Sequence, residues 1–135
     1  MKPFLRSAIA GVSLICSTHA MAEIAVIVNP KNPATRMFSE QASQFFMGKS
    51  SMFVPFDQSE KSAIRADFYQ KIAGKDISQV KANWAKLVFT GKATPPAELH
   101  SSADVKKAVA ADVNGIGYIE KSAVDDTVKV ILTIP

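Results

Sequence analysis

The side chains with the most chemistry per residue lie in one short stretch, Asp57-Gln58-Ser59-Glu60, followed by Ser62 and Arg65. Asp57 and Glu60 are potential proton acceptors, yet neither comes with a recognisable nucleophile, metal set or acid/base partner, and an enzyme is not expected. The Asp125-Asp126 pair precedes an apolar run and reads as a turn. His100 sits in Leu99-His100-Ser101-Ser102, a loop ahead of a helix, so a Ser or Cys triad would rest on one solvated histidine. The sequence has one cysteine, Cys16, and its other histidine is His19. Both fall in a segment expected to be removed, which leaves no raw material for a disulfide or a Cys/His zinc site. No metal or cofactor is expected.

That segment is the amino terminus. Lys2 and Arg6 supply a positive start, residues 7–16 an apolar core, and Ala20-Met21-Ala22 a small-x-small site. These are the parts of a secretory signal peptide, with cleavage expected between Ala22 and Glu23. The apolar run is about ten residues, and a membrane-spanning helix needs about twenty, which disfavours an anchor. Lipidation at Cys16 is disfavoured by bulky Ile15 directly before it. Of 16 basic residues the cleaved chain loses Lys2 and Arg6 and keeps all 12 acids, for a net charge of +2. No basic run interleaved with aromatics occurs, so nucleic-acid binding is not expected. Residues 23–135 are enough for one core and too few for two.

Strand and helix patterns then alternate. Residues 23–28 (EIAVIV) form a short, nearly continuous apolar run rich in β-branched residues and ended by Asn29-Pro30, which fits a buried strand. From Ser39 the residues Phe38, Ala42, Phe45 and Phe46 recur at helical spacing, with Gly48 as a stop. Residues 52–56 (MFVPF) read as a second strand, with Pro55 suggesting an edge or an end. Asp57 to Glu60 offer caps for a helix carrying Ile64, Phe68 and Ile72 and closed by Gly74. Asp76 or Ser78 caps a third helix with Val80, Trp84, Leu87 and Val88 on one face, where Trp84 is expected to be core. Residues 93–97 (ATPPA) are extended. A fourth helix follows Ser101 or Ser102, with Asp104 placed for a box from Ser101 and Val105, Ala108 and Val109 inward, and stops at Asn114-Gly115. Residues 116–120 (IGYIE) and 128–134 (VKVILTI) are closing strands. The expected fold class is α/β, one small mixed sheet flanked by helices in a three-layer-like arrangement.

Five segments occur in an order that resembles a known family. They are the strand into Asn29-Pro30, Phe45-Phe46-Met47-Gly48-Lys49, the run from Ser62 to Phe68, Asn83-Trp84 through Phe89-Thr90-Gly91-Lys92 to Pro95-Pro96, and the run from Asn114 to Ile119. Together they resemble the phosphate-binding proteins of ABC-type transporters, within the type II periplasmic binding protein superfamily. The resemblance covers nearly all of residues 23–135 and implies a single lobe of a two-lobed binding protein. It implies phosphate or a related oxyanion as ligand, a periplasmic location, and an ABC transporter permease or another periplasmic or membrane protein as partner. Where the family has Ser-Gly-Thr at a helix start, this chain has Ser62, Ala63 and Ile64, and the family's upstream arginine falls near Gln58. The implied ligand-binding residues are Gln58, Ser59, Ser62 and Arg65, acting through a helix amino terminus, hydroxyls and charge. Ala63 and Ile64 depart from the motif. They leave open a second reading, an interaction or regulatory module that kept the lobe fold and lost its ligand, with Ser59 and Ser62 as caps and Arg65 as a surface residue.

Overall fold

The computed structural model describes Gly11 and residues 23–135, so the expected cleavage site and its leader lie outside the described residues. Five strands form one mixed sheet in the order β3-β2-β4-β1-β5. β1 (Ile24–Val28) runs antiparallel to both β4 (Gly115–Glu120) and β5 (Lys129–Ile134). β2 (Val54–Gln58) runs parallel to β4 and to β3 (Ala97–Leu99). The layers follow from the two-residue period of a strand. Ile24, Val26 and Val28 face one core with Ile116 and Tyr118, while Ala25 and Ile27 face another with Ile119. Helices α1 (Ser39–Phe46), α2 (Arg65–Ala73) and α3 (Ile77–Phe89) cover the first face. α4 (Ser102–Ala111) covers the second through Val105 and Val109. This is the mixed α/β sandwich expected from the alternating pattern. Gly117 makes α4's approach possible, since a Cβ there would lie 2.5 Å from Cγ1 of Val105.

Helix ends explain several residues. Asp76 caps α3, its carboxylate accepting from the Gln79 N–H at 2.9 Å, and the hydroxyl of Ser101 caps α4 by accepting from the Asp104 N–H. α1 and α3 end in glycines with positive φ, Gly48 and Gly91. The next residue then bonds back, Lys49 N–H to Gln44 O at 2.8 Å and Lys92 N–H to Leu87 O at 2.9 Å. Each lysine thus occupies the same position of a Schellman turn. Buried Asn29 donates to the carbonyls of Val109 and Ala110 near the end of α4, which accounts for the polar residue closing an otherwise apolar strand.

Several expectations are corrected. Phe38 is not core: it sits at the cap of α1, 60% exposed, with the Arg36 guanidinium 5.4 Å from its ring centroid. The second strand is shifted to Val54–Gln58 and lies between two others. Pro55 is tolerated there because β3 pairs only from Phe56 onward, so the missing N–H faces no partner. Asp57 and Gln58 are strand residues rather than helix caps, and α2 begins only at Arg65 with no side-chain cap. Val88 is exposed rather than inward. Asn114-Gly115 does not use a left-handed turn; α4 ends with extended Asp112, and Gly115 opens β4. The short β3 was not anticipated.

Candidate functional site

Because β2, β3 and β4 are parallel, their carboxyl ends, Gln58, Leu99 and Glu120, share one edge of the sheet. Ligands of open α/β sheets gather outside such an edge. The loop from Ser59 to Ile64 and the amino terminus of α4 both lie there. Ser59 is held by its N–H, which donates to Leu99 O at 2.8 Å, and its carbonyl accepts from the Ser62 N–H at 2.9 Å. Its half-buried hydroxyl makes no hydrogen bond among the described residues. The Ser62 hydroxyl donates to the side-chain carbonyl of Gln58 at 2.6 Å. The Gln58 amide nitrogen donates to the carbonyl of Tyr118 at 2.9 Å and the hydroxyl of Ser102 at 3.2 Å. The carboxamide therefore already satisfies the hydroxyl that the resemblance assigns to an anion.

Strand alternation turns Asp57 to the opposite face. Its carboxylate is buried and accepts from the Tyr69 hydroxyl at 2.5 Å, from the Tyr118 hydroxyl, and from the Gln58 N–H at 2.7 Å. Burial raises the Asp57 carboxyl above its ordinary value, and the hydrogen bonds from Tyr118 and Tyr69 and the charge of Arg65 only partly oppose that rise. Both phenols are pushed above their ordinary value, first by burial and then by the neighbouring carboxylate. They serve as fixed donors. The rings of Phe68 and Tyr118 stack at 3.7 Å and hold the phenol of Tyr118 in place.

Arg65 opens α2 and is 4% exposed. Its Nη1 pairs with Oε1 of Glu98 on β3 at 3.0 Å, while its Nε is buried without a hydrogen-bond partner among the described residues. Desolvation works against its charge, but Asp57 and Glu98 more than compensate and raise its pKa. The expectation of a surface arginine does not hold. Of the four residues implied by the resemblance, the structure joins Gln58 and Ser62 directly, places Ser59 on the same loop, and directs Arg65 to Glu98. Ala63 is exposed and Ile64 is core. Sequence reasoning missed Ser102, Tyr118, Tyr69 and Glu98 as partners; the hydroxyl at the start of α4 was the one signal that could have pointed to Ser102.

No family model matches the chain, and no curated protein matches it. Solved structures do. A putative phosphate ABC transporter substrate-binding protein with bound phosphate from Clostridium perfringens superposes with a TM-score of 0.66 at 21% identity, over 82% of this chain and 45% of that one. An ABC-type phosphate transport receptor from Vibrio cholerae gives 0.65 at 20%, over 82% and 47%. A possible phosphate binding protein from Planctomyces limnophilus gives 0.60 at 15%, over 82% and 41%. The chain thus shares the fold of phosphate-type substrate-binding proteins and spans less than half the length of each. That is the single-lobe likeness the five segments implied. Among the described residues no helix is long and apolar enough to cross a membrane.

Proposed function

We propose that the chain binds a small oxyanion, phosphate or a relative, without covalent chemistry, at the carboxyl edge of its sheet. The observation that carries this reading is the placement of Gln58, Ser59 and Ser62 at the junction of β2 with α2, in a fold shared with phosphate-type substrate-binding proteins. Ser59 and Ser62 supply hydroxyl donors, and the first turn of α2 supplies N–H groups that the helix ladder leaves free. Gln58 keeps its bonds to Tyr118 and Ser102 and gives up the Ser62 hydroxyl to the anion. Arg65, paired with Glu98 on the Asp57 face, contributes its positive charge through the field at the start of α2. One wall of this kind encloses an anion on one side only, so binding by a single copy is weak and a second lobe, from another copy or another protein, completes it.

In this proposal residues 1–22 are a cleaved signal, the chain works in the periplasm, and it meets an ABC transporter permease or another periplasmic or membrane protein. Calorimetric titration of the purified chain with phosphate and with sulfate tests the binding. Saturable heat at millimolar ligand supports it, and the absence of heat for every oxyanion removes it.

A second reading has its own observations. The Gln58–Ser62 bond and the Arg65–Glu98 pair already occupy two of the groups that an anion would need, as expected of a lobe that docks a protein and takes no solute. In that case the carboxyl edge stays inert to anions, and a periplasmic partner is recovered in a pull-down that oxyanions do not affect.

A further inference from the structure

At the other end of the sheet, beside the amino end of β2, lies an open cavity of about 490 Å³. Small-molecule sites commonly occupy about 300–1,000 Å³. Its floor is aromatic: Phe45 and Phe53 meet edge to face with centroids 4.8 Å apart, and Trp84 lies beside them. The indole N–H of Trp84 is committed to the carbonyl of Phe46 at 3.1 Å, and Trp84 and Phe45 are largely buried, so the partly exposed Phe53 offers most of the aromatic surface. The rim carries Lys49 and Lys92 with the hydroxyl of Thr94, and no acidic residue lines it. Neither ammonium has a carboxylate within ion-pair distance among the described residues.

The two lysines are brought there by one device used twice. Each follows the glycine that ends a helix, Gly48 after α1 and Gly91 after α3, and each is fixed by its N–H bonding back to the helix. Gly48 lets α1 approach α3, since a Cβ there would lie 2.6 Å from Leu87 and 2.9 Å from Trp84. Two helix ends thereby converge on one cavity with a cationic rim and an aromatic floor. We propose that this cavity binds an aromatic molecule carrying one anionic group, carboxylate or phosphate, with the ring against Phe53 next to Phe45 and Trp84 and the anion between Lys49 and Lys92. The site is separate from the Gln58–Ser62 loop and does not depend on it.

Trp84 is the sole tryptophan of the sequence, so its fluorescence reports the cavity directly. Phenyl phosphate is the probe, with inorganic phosphate and phenol as its two halves. A saturable change in Trp84 emission with phenyl phosphate is expected, half-saturating at a concentration at least about five-fold lower than with either half. In a Lys49→Gln, Lys92→Gln variant, shown by circular dichroism to unfold at the wild-type temperature, half-saturation should rise by about five-fold or more. In a Ser62→Ala variant it should not move, which separates this site from the oxyanion loop. No saturable change, an equal response to inorganic phosphate, or an unchanged curve in the double lysine variant would overturn the proposal.

Discussion

The hydroxyl of Ser62 donates a 2.6 Å hydrogen bond to the side-chain carbonyl of Gln58, a residue four positions earlier and on a different element. Two consequences follow for oxyanion binding. Ser62→Ala removes a donor to a charged ligand, worth about 1.5–3 kcal/mol, so phosphate affinity should fall about ten-fold or more. Gln58→Glu retains an acceptor for Ser62 but places a carboxylate where the anion enters, and phosphate binding should be lost. Calorimetry on both variants checks this, with urea unfolding to confirm that each is folded.

The buried Asp57 carboxyl sets a pH dependence with a definite sign. Its folded pKa is raised above the ordinary 3.8. The stability it contributes is therefore complete below that ordinary value and declines as pH rises through the elevated one. Urea unfolding of wild type and Asp57→Asn from pH 3.5 upward should show the wild type losing stability in this window and the variant lacking that component. Asp125 acts in the opposite sense. The Lys106 ammonium and the Thr127 hydroxyl and N–H lower it to about 2, and its small, exposed contribution is present above the ordinary value and lost as pH falls toward 2.

Glycines that end helices should differ in their tolerance of a methyl group. At Gly74 an added Cβ meets nothing within 4 Å, so Gly74→Ala costs only the left-handed backbone, about 1 kcal/mol. At Gly48 the same backbone cost is joined by contacts of 2.6 Å to Leu87 and 2.9 Å to Trp84, and overpacking adds about 1–3 kcal/mol. Chemical denaturation of the two variants should rank Gly48→Ala as clearly the worse.

Export is tested independently of binding. Expression of the whole sequence in a Gram-negative host, followed by intact-mass measurement of the periplasmic fraction, should give a chain beginning at Glu23. Full-length protein retained in the cytoplasm would remove the proposed leader and location.

The regular elements were legible because their apolar residues repeat with clean periods. Ile24 to Val28 is apolar throughout and β-branched at all but Ala25, and Val80 and Trp84 lie one helical turn apart, so burial and type could be read together. β3 was not legible. Its three residues, Ala97, Glu98 and Leu99, carry no pattern and become a strand only by pairing with β2. Asp57 and Gln58 look like helix caps in sequence because the same short polar side chains serve both roles. What makes them strand residues is Tyr118, sixty-one positions from Asp57, and the pairing with Glu98 and Leu99. The candidate site was half legible for the same reason. Ser59 and Ser62 could be placed on one loop, but the bond between Gln58 and Ser102 and the pairing of Arg65 with Glu98 depend on register across the sheet.

The most direct measurement is a phosphate titration followed by backbone amide NMR. The proposed site predicts saturable shifts at Ser59, Ser62 and Arg65 that follow one binding curve, separate from any weaker response at Lys49 and Lys92. Amides of the Ser59–Arg65 loop that stay fixed up to tens of millimolar phosphate would contradict it.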